Sequence, residues 1–191
     1  VGTKAKDLPV NPGTFEFANT GLWVGGPIVR NKAFFFGNFE DESLTRPGTV
    51  FQANPGGQPA AGSLTRVLES DLQRVSSLMQ SAFGYETGPY QGYDFATPAR
   101  RYLIKGDYNV NASNKITFRY TQLDSNTDVI MSNSSSLGFG NRNNNLFSMS
   151  FDNSNYRILE NIKSGIGEWN SVIGNSMSNS LIVGYTYQDE S

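Results

Sequence analysis

The sequence predicts an all-β, antiparallel fold of about six strands, and three observations predict it. Apolar and polar residues alternate along several stretches of roughly ten residues, the period-two signature of strands. These stretches come in pairs joined by short polar turns. Long tracts of serine, asparagine, glycine and threonine separate the pairs.

The first pair opens at Phe17. Phe17 to Val29 (FANTGLWVGGPIV) reads as a strand containing glycines, Arg30-Asn31-Lys32 as a tight turn, and Ala33 to Glu40 as the returning strand. Gly25, Gly26 and Pro27 would weaken a central strand of a small soluble sheet, and they suit a strand end or a bend better. The second pair runs Arg101 to Val110 and Lys115 to Asp124, with a turn at 111–114. Tyr102, Ile104, Tyr108 and Val110 share one face; Arg101, Lys105, Asp107 and Asn109 share the other with Leu103 as an apolar intruder. Ile116, Phe118 and Tyr120 likewise oppose Thr117, Arg119 and Thr121. The third pair is Gly165 to Gly174 and Ser180 to Asp189, where Leu181, Val183, Tyr185 and Tyr187 share a face.

Between the pairs, residues 41–99 and 125–161 read as long loops, a length that is usually functional or disordered. The first contains a helix candidate over 63–84. Leu64, Val67, Leu68, Leu72, Val75, Leu78, Met79 and Phe83 recur at three- and four-residue spacing, with Ser63 as cap and Gly84 as stop. The bland expectation is that this stripe packs on its own loop.

Composition excludes several function classes. The chain has 191 residues, 37% hydrophobic and 17% charged, with a formal charge of −2. That balance offers no basic face for nucleic acid. With neither cysteine nor histidine, disulfides, thiolate metal sites, Ser-His-Asp and Cys-His machinery are all excluded within the chain, so no catalytic residues are assigned and an enzyme is not expected. The opening VGTKAKDLPV lacks the apolar core of a signal peptide. No run approaches the ~20 apolar residues of a membrane helix, yet a membrane-crossing strand needs only about 9–11.

Short turns alternate strictly with long loops. In an outer-membrane barrel one rim carries short periplasmic turns and the other long extracellular loops, while strands turn apolar residues to lipid and polar ones to the lumen. On this reading Tyr102, Ile104, Tyr108, Ile116, Phe118, Tyr120, Leu181, Val183 and Tyr185 face lipid. The expected fold is an antiparallel transmembrane β-barrel fragment with long extracellular loops and one loop helix. Periodicity alone also fits a soluble extracellular β-rich binding or adhesion module with a packed core.

GGPIVRNKAFFFGNFE, Gly25 to Glu40, resembles a segment near the start of the barrel in TonB-dependent outer-membrane receptors, more narrowly the Oar-like group with a carboxypeptidase-regulatory-like domain. The matching residues are Gly25 to Ile28, Lys32, Phe34 to Phe36, Asn38 and Glu40. Pro89 to Ser125 is similar to the family's D-x-N-[IV]-N-x-x-[NH]-x-[IL]-[ST]-x-R-Y hairpin, here Asp107 to Tyr120. Ser178 to Glu190 and the opening VGTKA resemble further barrel segments. The resemblance implies active uptake through a barrel of about 22 strands holding an internal plug. It implies that residues 1–191 form an N-terminal part of that barrel, without the plug or the TonB box. The start within a polar segment and the final strand LIVGYTYQDES, which stops without a turn or cap, themselves read as cut ends. It also implies that the triple-phenylalanine strand meets lipid on one face and the plug on the other. The implied partners are the outer-membrane bilayer and the TonB complex acting through the plug; a surface lipoprotein or other protein partner is compatible.

Two candidate sites remain. Glu40-Asp41-Glu42 and Asp189-Glu190 are acidic clusters whose expected fate is a solvated rim, with calcium the one cofactor that oxygen-rich ends would suit. Tyr85, Tyr90, Tyr93 and Phe95 sit in a Gly-Pro-rich loop and are candidate ligand-binding aromatics. Their bland alternative is packing against the helix.

Overall fold

The computed structural model describes residues 4–5, 8–9, 13–131 and 143–191. Its elements in chain order are β1 (Lys4–Ala5), β2 (Leu8–Pro9), β3 (Glu16–Val29), β4 (Ala33–Pro47), β5 (Gln52–Asn54), β6 (Leu64–Leu68), α1 (Glu69–Phe83), β7 (Asp94–Asn111), β8 (Asn114–Val129), a 3-10 turn at Asp152–Ser154, β9 (Tyr156–Ile173) and β10 (Met177–Glu190). Six of the strands form one sheet, ordered β10-β9-β8-β7-β4-β3. β7 with β8 and β9 with β10 pair antiparallel, as the hairpins predict. β3 and β10 lie at its two edges, so the sheet is open.

The sheet strands are 14 to 18 residues long, longer than the alternation suggested. β4 continues to Pro47, β7 starts at Asp94, β8 continues to Val129 and β9 starts at Tyr156, so the loop bounds of 41–99 and 125–161 are too wide. Ladder hydrogen bonds do not need an apolar face, so pairing persists where the alternation has stopped. Part of the second tract, 132–142, lies outside the described residues, as do Val1–Thr3 of the opening VGTKA. The first turn places Asn31 at φ 58, and the Lys32 amide donates to the Val29 carbonyl at 3.0 Å.

The helix starts later than expected. Leu64–Leu68 is a strand paired in parallel with Gln52–Asn54. Thr65 is fully buried there, and its hydroxyl donates to the Gln52 carbonyl at 3.0 Å. Ser63 therefore caps nothing. Leu68 stands at the N-cap with extended dihedrals and no side-chain hydrogen bond, while Glu69 and Asp71 place negative charge in the first turn. The predicted stop holds. Gly84 is left-handed at φ 64, its amide donates to the Gln80 carbonyl, and the Tyr85 amide donates to that of Met79. Of the apolar stripe on the helix only Leu72 is buried; Val75, Leu78 and Phe83 are exposed.

The chain divides into two compact units. One, here the loop unit, comprises residues 1–16, 45–96 and 128–157; the other, here the wall, comprises 17–44, 97–127 and 158–191. The loop unit has a small centre of Ala53, Leu72, Tyr93 and Phe95 beside buried polar groups. The Asn54 amide, buried there, donates to the carbonyls of Thr65 and Gln58, at 3.1 and 2.9 Å. In the wall the one buried hydrophobic residue among those described is Ala99.

Gly48 marks the tightest place in the loop unit. A Cβ there would lie 2.2 Å from Cε2 of the Tyr93 ring, and the Gly48 amide donates to the Tyr93 carbonyl at 2.9 Å. Gly48→Ala must therefore displace a buried ring, at a cost of about 1–3 kcal/mol. Limited proteolysis of the intact protein should cut residues 45–96 faster in this variant than in the unsubstituted protein. Equal rates would contradict the packing described.

Candidate functional site

The two faces of the wall differ in chemistry. The register of β7 with β8 pairs Ile104 with Tyr120, Gly106 with Phe118 and Tyr108 with Ile116 on one face. On the other it pairs Lys105 with Arg119, Asp107 with Thr117 and Asn109 with Lys115. Asp107 holds this second face together: it accepts from Lys115 at 2.8 Å, Lys105 at 3.2 Å and the Thr117 hydroxyl at 2.8 Å. β9 and β10 repeat the division. Leu181 faces Trp169, Val183 faces Gly167 and Tyr185 faces Gly165. The alternate positions pair Ile182 with Glu168 and join the Thr186 and Ser164 hydroxyls at 2.9 Å. The Trp169 indole N–H donates to Asn114 Oδ1 at 3.1 Å, which places the apolar face of β9 on the same side as that of β8.

Side-chain contacts extend both faces to β4 and β3. Arg101, on the polar face, pairs with Glu42 at 2.9 Å and lies 4.0 Å from Glu40. Even-numbered β4 residues therefore share the polar face, Phe34 and Phe36 included. Phe36 stacks on Trp23, which puts odd-numbered β3 residues there too. Phe39 meets Tyr102 with ring centroids 5.1 Å apart, so odd-numbered β4 residues join the apolar face. Leu22, Val24 and Ile28 belong to that face as well.

The apolar face is uncovered. Ile104, Tyr108, Ile116, Phe118, Leu181, Val183 and Tyr185 are all exposed, Val183 by 64% and Tyr185 by 72%. Tyr102 and Tyr120 are half-buried: Tyr102 leans on Phe39, and the Tyr120 hydroxyl donates to Gln122 at 2.9 Å. They stand where the face turns polar, with Gln122 in turn donating to Asp124 at 2.7 Å. Near the short turns Trp169 and Tyr108 play the corresponding part, the latter with the Lys32 ammonium 5.7 Å from its ring centre. Sequence reasoning missed Leu22, Val24, Ile28, Phe35, Phe39 and Trp169. Parity within β3 and β4 could have found most of them, but apolar residues on both faces masked the alternation.

The predicted loop aromatics are in the loop unit with other roles. Tyr93 is 6% exposed and Phe95 2%, their rings 5.8 Å apart, so neither offers a face to a ligand. They are packing residues. The Tyr90 hydroxyl donates to Glu69 at 3.0 Å; burial and then that carboxylate push its pKa up. The Tyr85 hydroxyl donates to the Asn153 carbonyl at 3.0 Å. The same segment is tied by the Asp152 and Asn153 amides to the carbonyls of Pro89 and Thr87, at 2.8 and 3.1 Å. The acidic cluster at 40–42 is divided between the two faces and ion-paired, Asp41 with Arg100 at 3.1 Å and Glu40 and Glu42 with Arg101. Glu190 takes a hydrogen bond from Gln188. Among the described residues no group of three or more His, Cys, Asp or Glu is placed to hold a metal ion.

Asp128 ties the strand ends within the loop unit. It accepts from the Ala96 amide at 2.9 Å and from Arg157 Nε at 2.7 Å, while Arg46 stacks 5.2 Å from the Phe95 ring. Burial raises its pKa, but the Arg157 hydrogen bond, the Ala96 amide and the charges of Arg157 and Arg46 together hold it below the usual carboxylate value.

A family model described as Outer membrane beta barrel domain matches residues 3–191. The chain belongs to that family, and the protein resides in the outer membrane, in contact with its lipid bilayer. No curated protein and no solved structure matches it.

A depressed native pKa means that Asp128 stabilises the loop unit fully above the unfolded carboxylate value of about 3.9, and loses that contribution as pH falls through the native value. Proteolytic resistance of residues 45–96 and 128–157 should thus drop below about pH 4. Asp128→Asn should weaken it at pH 7 by about 1–3 kcal/mol and flatten the acid response. An unchanged acid profile would assign the transition to other carboxylates.

Proposed function

We propose that this chain is part of a TonB-dependent transporter of the Oar-like group, serving energised uptake of a large or scarce substrate. One observation carries the reading: the wall is a single sheet with an apolar face and a polar face and almost nothing buried between them. A soluble module would need a core of its own, which this sheet does not have. Lipid suits the first face, and a water-containing interior the second. The particular receptor class is supported by the Gly25–Glu40 motif and the Asp107–Tyr120 hairpin. On this reading Tyr102, Ile104, Tyr108, Ile116, Phe118, Tyr120, Leu181, Val183 and Tyr185 face lipid, the short turns face the periplasm and the long connections the outside. A plug fills the interior and passes the pull of the TonB complex to the bound substrate. The chain itself performs no chemistry.

Two experiments test this. Single cysteines placed in a cysteine-free background of the full-length protein can carry spin labels in bilayers; residues 1–191 contribute no cysteine of their own. Labels at Ile104, Phe118 and Val183 should collide with oxygen dissolved in lipid, and labels at Lys105 and Thr117 with a water-soluble nickel chelate. The reverse ranking would sink the assignment of faces. For the transporter class, the full-length protein in detergent should form a one-to-one complex with the periplasmic domain of its cognate TonB. An intact, folded barrel that forms none would be an outer-membrane barrel of another kind.

A further inference from the structure

The rim formed by the short turns is cationic. A cavity of about 760 Å³ lies among these turns, and Arg30, Lys32 and Lys115 line it together with asparagine and serine side chains; no described carboxylate lines it. Lys115 is already answered by Asp107 at 2.8 Å. Arg30 and Lys32 are exposed, and neither has a carboxylate partner among the described residues. In the strand segments that meet this rim, 24–36, 106–118 and 166–183, the carboxylates are Asp107 and Glu168. Both stand on the polar face, where Glu168 accepts from Asn170 and Asp107 from Lys105 and Lys115. Two unanswered positive charges are thus concentrated in the β3–β4 turn.

That turn is held in place beside the lipid face. The Lys32 carbonyl accepts from the Asn109 amide at 2.7 Å and the Asn31 carbonyl from the Asn109 side chain at 3.0 Å. So anchored, the Lys32 ammonium lies 5.7 Å from the centre of the Tyr108 ring, which belongs to the apolar face. A second lining residue, Asn114, accepts from the Trp169 indole N–H at 3.1 Å. The cavity therefore borders the apolar face at two aromatic side chains, the residue types that mark the level of the headgroups. The other end of the same face differs in sign. There Asp41 pairs with Arg100 at 3.1 Å, and Asp124, opposite Arg100 in the β7–β8 ladder, accepts from Gln122. Two carboxylates meet one guanidinium at that end, while the short-turn end offers two cations and no carboxylate.

We propose that Arg30 and Lys32 form a binding site for the headgroup of an anionic phospholipid, of the phosphatidylglycerol type, at the short-turn rim. The two cations hold the phosphate, and the acyl chains run along the apolar face past Tyr108 and Ile116. A zwitterionic phosphatidylethanolamine is the poorer occupant, because its ammonium would meet like charge with no carboxylate to receive it. A neutral glycerol head meets the asparagine side chains of the cavity instead. The site rests on the lipid assignment of the apolar face and not on the TonB reading. Its leaflet, the periplasmic one, rests on the reading that the short turns face the periplasm.

The test uses the full-length protein in a cysteine-free background, reconstituted in phosphatidylcholine bilayers, with barrel integrity checked by the shift in electrophoretic mobility on heating. A bimane fluorophore on Ile116→Cys reports lipids at this rim, and one on Leu22→Cys reports the other end of the same face. The quenchers are phosphatidylglycerol and phosphatidylethanolamine, each with a nitroxide on the acyl chain near the headgroup. At position 116 phosphatidylglycerol should associate about tenfold or more in preference to phosphatidylethanolamine, and at position 22 the two should quench alike. Lys32→Gln and Arg30→Gln should each lower the preference about fivefold, the double variant should abolish it, and Lys32→Arg should keep it. High salt should weaken it, and soluble glycerol phosphate should not displace the lipid. Equal quenching at position 116, a preference that the double variant retains, or displacement by glycerol phosphate, which would mark a site for soluble anions, would each overturn the proposal. The leaflet is tested apart: Asn175→Cys in intact cells should resist a hydrophilic maleimide and react after lysis. Labelling of intact cells would overturn the orientation of the turns, while the lipid preference, measured in a symmetric bilayer, would stand or fall on its own.

Discussion

Six strands hydrogen-bonded in one layer leave two faces and no interior between them. In water a sheet of this kind must bury one face against a second layer, because apolar side chains contribute about 25 cal/mol per Å² removed from solvent. The wall has no second layer among its described residues, and its buried hydrophobic set comes down to Ala99. The stabilising surroundings must then be supplied from outside the sheet, by hydrocarbon on one face. The backbone is the other half of the constraint. No water reaches strands in hydrocarbon, so every N–H and C=O must find a partner strand, which favours long ladders of the kind seen between β7 and β8 and between β9 and β10.

That constraint accounts for where the charges are. Lys105, Asp107 and Lys115 gather on one side and are absent from the other, because a charge facing the bilayer midplane costs about 2–4 kcal/mol. It also accounts for the aromatic residues near the ends of the apolar face, where rings with a polar edge meet the interface: the Trp169 N–H and the Tyr120 hydroxyl each find an amide oxygen. The loop unit obeys ordinary rules instead. It has a small aromatic centre, the buried Asn54 amide donating to two carbonyls, and the Asp128 tie between strand ends.

The three consecutive phenylalanines, Phe34 to Phe36, divide between two faces. Phe35 stands on the apolar face, while Phe34 and Phe36 stand on the polar one, where Phe36 meets Trp23. The glycines nearby are the spaces that let those rings lie flat. A strand that is apolar on both sides would be a buried central strand in a soluble α/β protein; here it borders two different environments.

What the sequence by itself determined was the set of six strands, their pairing into three hairpins and the division of their faces. Those depend on period-two alternation and short turns, which are local. Gly84 as helix stop was legible for the same reason: only a left-handed cap was needed. Tertiary structure alone decided the rest. The strand ends beyond Glu40 and Asp124 depend on ladder bonds to neighbours distant in sequence. Leu64–Leu68 became a strand and not a first helical turn because Gln52–Asn54 lay beside it to pair with. Tyr93 and Phe95 went inside, not out toward a ligand, because Gly48 and Arg46 close over them from another segment. Alternation records which way a side chain points; only contacts between distant parts of the chain decide what it meets there.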